Sequence, residues 1–251
     1  MNDDNLFIPR LCEHLLPIER ETHNVLGKRA SFFIDVWDDC MSICDAISSA
    51  YPDQHGNLLH HYFHGLIKEL YWFHFYFVSG NYTIISARMR FCWEAIYRAY
   101  YAERYAGVNP PGPSPDDKLR WLEQKRPNWN ELRQILHALF PLAARENDVA
   151  AFYDALWKNL HRFVHPSEEV TLRSIDETAL HVRDGFDERW ALDTIETGLH
   201  VFDVIWVAVL SFYPLAAARI AHPSLRVKYV IVTDALRRMH ESDQSVFVGR
   251  L

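Results

Sequence analysis

The chain has 251 residues, 49% of them hydrophobic, with eight tryptophans and a formal net charge of −7. That length suits one large domain or two small ones, and the apolar share is enough for a sizeable core. The acidic balance excludes a surface that coats nucleic acid broadly, while leaving room for a local basic pocket.

Only nine glycines occur, and none lies between Gly112 and Gly185, which favours helices over a turn-rich β fold. Cys12, Cys40, Cys44 and Cys92 match no zinc spacing. Cys40 and Cys44, one helical turn apart in an apolar stretch, read as buried free thiols rather than a redox pair. The start Met-Asn-Asp-Asp-Asn has no basic region followed by an apolar run, so no secretory signal is expected.

In chain order, Pro9 and Pro17 are expected to break residues 1–28 into short helices. Phe33, Val36, Trp37, Cys40, Cys44 and Ile47 then mark a helix over 31–50, and a turn at 51–56 leads to a second over 57–78. Ser79-Gly80-Asn81 ends that helix, the glycine permitting a left-handed cap. Residues 82–106 are apolar nearly all round, which places them at the centre of a bundle. Four prolines between Pro110 and Pro115 make 108–115 a loop, read as internal to one domain. Ser114, Pro115 and Asp117 give the next helix its cap, its first-turn proline and its first-turn acid.

Helices are expected at 115–125, 129–143 and 148–165, the last stopped by Pro166. Residues 167–186 lose the helical period and read as a small hairpin or irregular flap. A long helix over 187–218, bent at Pro214, and a final one from Pro223 to His240 complete the chain. The stretch Val204–Tyr213 is too short to span a bilayer, so a cytoplasmic protein with no membrane partner is expected. The fold class is all-α: a single-domain helical bundle over 29–240, N-terminal short helices (1–28) packed on it, and a C-terminal tail (241–251).

Three constellations carry chemistry. On the helix 148–165, Phe152, Leu156, Leu160 and Phe163 form the expected core stripe. Asp154, Lys158, His161, Arg162 and His165 share the opposite sector. Imidazoles beside cationic groups suit phosphate binding and proton transfer. The same residues also suit a helix C-terminus simply because its carbonyls attract positive charge, and both readings stay open. On the central helix Arg90, Glu94 and Arg98 stand four apart, either a surface ladder or a part-buried charge cluster. His60 and His64 share a face at a spacing that can hold zinc, with His161 and His165 as a second such pair, but no neighbouring Asp/Glu-x-x-His supplies carboxylates. No phosphate loop, dinucleotide fingerprint or nucleophile elbow is present.

The step Arg90-Phe-Cys-Trp-Glu94, followed by a helix ending Leu160-His-Arg-Phe-Val-His165-Pro-Ser167, resembles the HEPN superfamily (higher eukaryotes and prokaryotes nucleotide-binding). It resembles especially bacterial and archaeal members with a similar Val-His-Pro-Ser helix end. The resemblance implies a helical bundle, usually a homodimer, acting on RNA or a nucleotide without metal or other cofactor. It also implies a place in a defence or toxin–antitoxin system with an antitoxin-like protein partner. Under it His165 is the acid–base group, and Arg162 and Lys158 are phosphate clamps. Arg90, Glu94, His161 and Asn159 support them. Lys158, followed by polar Asn159, stands where the family carries arginine. Lysine keeps the charge but lacks the planar fork, so a non-catalytic interaction or nucleotide-sensing module is the alternative. A metal-dependent bundle enzyme using His60 and His64 is a further one.

Overall fold

The structure, a computed structural model, describes residues 7–53, 57–104, 112–139, 146–164, 186–220, 225–233 and 236. Helix α1 (Phe7–Leu26) passes through a 3-10 segment (Gly27–Ser31) into α2 (Phe32–Ala50), followed by α3 (Leu58–Val78) and α4 (Tyr82–Arg104). The second half supplies α5 (Pro115–Lys125), α6 (Trp129–Leu139), α7 (Glu146–Val164), α8 (Glu188–Phe212) and α9 (Pro214–Arg219). One hydrophobic core runs through both halves, so the expected all-α, single-domain bundle is what the chain forms.

Local chemistry sets the helix ends. The Asn57 side chain accepts from the His60 N–H at 3.2 Å, Ser114 from the Asp117 N–H at 3.1 Å, and Asp187 from the Trp190 N–H at 2.9 Å. Each satisfies a backbone donor that the first helical turn leaves open. Gly80, at φ 75° after α3, takes the left-handed conformation expected of it.

Helix α4 is the hub, with α3, α7 and α8 packed around it. Its Ile85, Met89, Trp93, Ile96 and Tyr97 are buried. A Cβ on Gly198 of α8 would stand 2.9 Å from Phe32 Cε1 and 3.5 Å from Met89 Sδ. The missing side chain is what lets α8 approach α2 and α4 so closely. Helix α8 is long and apolar enough to cross a membrane, but its apolar residues from Val201 to Leu210 are buried in the bundle core. Cys40, Cys44 and Cys92 are buried and free.

The N-terminal expectation needs correcting. Helix α1 is one continuous helix through Pro17. Proline removes a single backbone donor there, and the exposed position gives its ring room. Burial of Ile18, Thr22 and Leu26 on the bundle holds the helix on both sides of it. At the other end, Tyr213 interrupts the helix expected over 187–218, and Pro214 opens α9 as its first residue. The insertion expected near 167–186 falls outside the described residues except for Phe186, as do loop residues 108–111 and the tail 241–251.

The last described segment also departs from the sequence pattern. A helix is expected from Pro223, but residues 225–230 are non-helical and the turn begins at Ile231. Two buried carboxylates explain this. Asp39 of α2 accepts the N–H groups of Arg226 (2.6 Å) and Val227 (3.0 Å). Asp203 of α8 accepts those of Val230 (3.0 Å), Ile231 (2.9 Å) and Val232 (2.8 Å). Asp203 thus caps a helix start from a different element, and together the two acids clip the segment to the core.

Burial raises the Asp39 carboxyl from 3.8 to about 6, against the Arg226 and Val227 N–H groups that lower it. The folded protein therefore binds this proton more tightly than the unfolded chain does. Its contribution favours the fold most below about pH 3.8 and is lost as pH rises through about 6. Urea unfolding of the native protein and Asp39→Asn should show the native protein gaining on the variant as pH falls from 7 to 4. A difference that does not change with pH contradicts this.

Candidate functional site

The candidate site is built on α7, and what fixes α7 is an aromatic nest. Tyr153, Trp157 and Leu160 are its buried side chains. The Trp157 and Trp129 rings stack at 3.8 Å between centroids, with the Trp93 ring edge-on to Trp157 at 5.0 Å. The Arg90 guanidinium lies 3.1 Å from the Trp157 centroid, so Trp157 is held between Trp129 on one face and a cation on the other.

This rotates α7 by about one residue from the expected stripe. Tyr153, not Phe152, faces the core, because Tyr153 and Trp157 fit the nest around Trp93. Phe152 is 44% exposed, with its ring 4.8 Å from that of His200 on α8.

The Arg90–Glu94–Arg98 ladder forms. Arg90 Nη1 lies 3.0 Å from Glu94 Oε2, and Arg98 Nε lies 3.3 Å from Glu94 Oε1. Arg90 is only 5% exposed. Burial lowers its pKa to about 10 while Glu94 works the other way, so it stays cationic at neutral pH. Of the two readings offered by the sequence, the part-buried cluster describes Arg90. Asp154 also has defined partners: it accepts from Trp129 Nε1 at 2.9 Å and from Arg133 Nη1 at 3.1 Å.

Helices α7 and α8 both pack on α4 and leave a cleft of about 370 Å³ between themselves. From α7 it receives Asn159 and Arg162, together with Phe152 and Phe163. From α8 it receives Asp193, Glu196, Thr197 and His200. Of the residues singled out by sequence, the structure therefore brings Asn159 and Arg162 to one cleft. Lys158 and His161 are exposed on α7 and are not among the cleft's lining residues. Arg90 and Glu94 act on the nest side of α7. His165, like Pro166 and Ser167, lies outside the described residues.

His200 was not singled out by sequence reasoning. It belongs to no motif, and nothing in the one-dimensional pattern pairs α8 with α7. The only signal was its position on a helix with a strongly polar first half, Asp193, Thr194, Glu196 and Thr197.

The α7–α8 cleft is mixed in charge. Arg162 and His200 supply a cation and a proton-exchanging imidazole, and Asp193 and Glu196 supply acceptors for hydroxyl groups. Two other clefts lack this combination. One of about 690 Å³ between α3, α4 and α5 carries Glu69 and Asp116 beside Phe91, Leu119 and His61. Another of about 770 Å³ is walled mainly by Leu16, Ile34, Trp37, Tyr71, Trp72 and Phe75. Neither has a lysine or arginine on its lining.

The His60 and His64 rings do meet, with centroids 4.2 Å apart. Among the described residues, however, no group of three or more His, Cys, Asp or Glu side chains gathers in a way that could hold a metal ion.

No family model matches the chain, and neither a curated protein nor a solved structure matches it.

Proposed function

We propose that this protein is a HEPN-like helical protein that binds single-stranded RNA or a ribonucleotide at the α7–α8 cleft and cleaves RNA without metal. The observation that carries the reading is the pairing of Arg162 and Asn159 with His200 in one cleft. In this reading Arg162 clamps a phosphate with its fork of N–H donors and Asn159 adds an amide donor. The exposed Lys158 and His161 add cationic character around the entrance. His165 takes the 2′-hydroxyl proton as the oxygen attacks the neighbouring phosphorus. Arg90 and Glu94 act at one remove: the cation over Trp157 fixes the rotation of α7 and hence where Arg162 points. Asp193 and Glu196 suit sugar hydroxyls as hydrogen-bond acceptors. A homodimer acting in a defence or toxin–antitoxin setting, in the cytoplasm, is the assembly and context this reading carries.

Incubation of the purified protein with single-stranded RNA in excess chelator is expected to yield 2′,3′-cyclic phosphate ends, with His165→Ala at least about 100-fold slower. Binding of RNA without turnover would assign the protein instead to the non-catalytic, nucleotide-sensing class. Equal cleavage by native protein and His165→Ala would remove the assignment of His165.

A further inference from the structure

We propose that the cleft between α1, α2 and α3 binds a small amphiphilic organic cation: an amine with an apolar aromatic or aliphatic body. The site shares no lining residue with the α7–α8 cleft, and the proposal stands apart from any action on RNA. Its volume of about 770 Å³ falls in the range of clefts that take small ligands, which are mostly apolar with a few polar groups. Five exposed large apolar side chains, Leu16, Ile34, Tyr71, Trp72 and Phe75, line this one cleft. Exposed apolar residues scattered singly are ordinary, whereas a contiguous group of them marks a binding surface.

The chemistry of the wall decides which ligand fits. Along α3 the Tyr71 and Trp72 rings meet edge-on at 5.6 Å between centroids, and those of Trp72 and Phe75 at 6.0 Å. Trp37 of α2 joins them on the lining. Aromatic faces attract a cation through their quadrupoles. Among the described residues, the half-buried Glu19 of α1 is the only carboxylate on the lining, and no lysine or arginine lines the cleft to neutralise it. His74 adds no positive charge at neutral pH. Burial, helped by His23, holds its pKa below the usual 6.5 against the pull of Glu19. Its Nδ1 is buried without a hydrogen-bond partner, and a neutral imidazole has one ring nitrogen able to accept. An anion, an acceptor and π faces with no cation among them complement an ammonium group, and the apolar remainder of the wall takes its hydrocarbon body. A second copy of the same face fits less well, since a two-fold contact would bring two acids together across apolar walls.

Isothermal titration calorimetry of the full chain with 4-phenylbutylamine, 4-phenylbutanol and 4-phenylbutyrate compares one apolar body carrying a cation, a neutral group and an anion. The native protein is expected to bind the amine at least about tenfold more tightly than the alcohol, and the carboxylate more weakly than either. Glu19→Gln should weaken the amine by about fivefold while leaving the alcohol within about twofold of native. Trp72→Ala should weaken both. Glu13→Gln, on the same helix but exposed and off the cleft lining, is expected to bind all three as the native protein does. Thermal unfolding of each variant within a few degrees of native separates lost binding from lost folding, and the comparison of amine with alcohol needs no variant at all. Equal affinity for the three probes, unchanged amine affinity in Glu19→Gln, or no binding of the amine at millimolar concentration would overturn the proposal. So would a dimer that Trp72→Ala dissociates in sedimentation, which would assign this face to a second copy of the chain.

Discussion

Asp203→Ala is expected to lower the unfolding free energy by about 4 kcal/mol, the largest single loss short of emptying the aromatic nest. The carboxylate is fully buried. Its two oxygens accept from three successive backbone N–H groups, those of Val230, Ile231 and Val232. Hydrogen bonds to a charged acceptor are the strong kind, and removing the acceptor leaves three donors facing a core that offers no replacement. Burial raises the Asp203 carboxyl while those same N–H groups lower it, so the contacts work directly against the desolvation of the charge. Asp203→Asn keeps one acceptor oxygen and turns an amino group toward the other donors, so a loss of about 2 kcal/mol is expected. Urea unfolding measures both, with the cleft residue Asp193→Ala as a control expected within about 0.5 kcal/mol of native. Equal stability of Asp203→Ala and the native protein would mean that the 225–232 segment is not clipped to the core in this way.

On the proposed ribonuclease reading, Arg162→Ala is expected to reduce RNA cleavage by about 10²- to 10³-fold, the range for removing one donor aimed at developing negative charge. Arg162 is exposed at the mouth of the cleft, so folding should be unaffected. Arg162→Lys should recover only part of the loss, since a point charge replaces a two-pronged donor. The comparison with Lys158 gives this prediction its edge. The HEPN resemblance on which the proposal draws would put Lys158 at that family's arginine position, whereas the cleft is lined by Arg162 and not by Lys158. Lys158→Ala is therefore expected to cost less than about tenfold. The reverse ranking would place the reaction on the other side of α7.

Much of the fold was legible because it is written in local rules. Ser114 caps the helix that follows it, Gly80 supplies the left-handed turn, and the apolar girth of residues 82–106 announces the hub. What escaped was set by contacts between elements distant in sequence. Pro17 reads as a breaker, but burial of Ile18, Thr22 and Leu26 holds one helix through it. Phe152 and Tyr153 are equally plausible core residues on a wheel, and only the nest of Trp93, Trp129 and Trp157 decides for Tyr153. Asp203 reads as the polar edge of an apolar run, and its three N–H partners lie at Val230–Val232, far along the chain. The site divides along the same line. Arg162 and Asn159 were recognisable from the helix-end pattern, as was the Arg90–Glu94 step. His200 became visible only when α7 and α8 were seen to flank one cleft, and the strut from Arg90 to Trp157 only when two helices were seen in contact.

The most direct measurement is the position of a bound phosphate. In a crystal structure of the protein with a short RNA made uncleavable by a single 2′-deoxy substitution, the phosphate 3′ to that nucleotide is expected within hydrogen-bonding distance of Arg162, between α7 and α8. An RNA seated elsewhere on the bundle, with the α7–α8 cleft empty, would contradict the account.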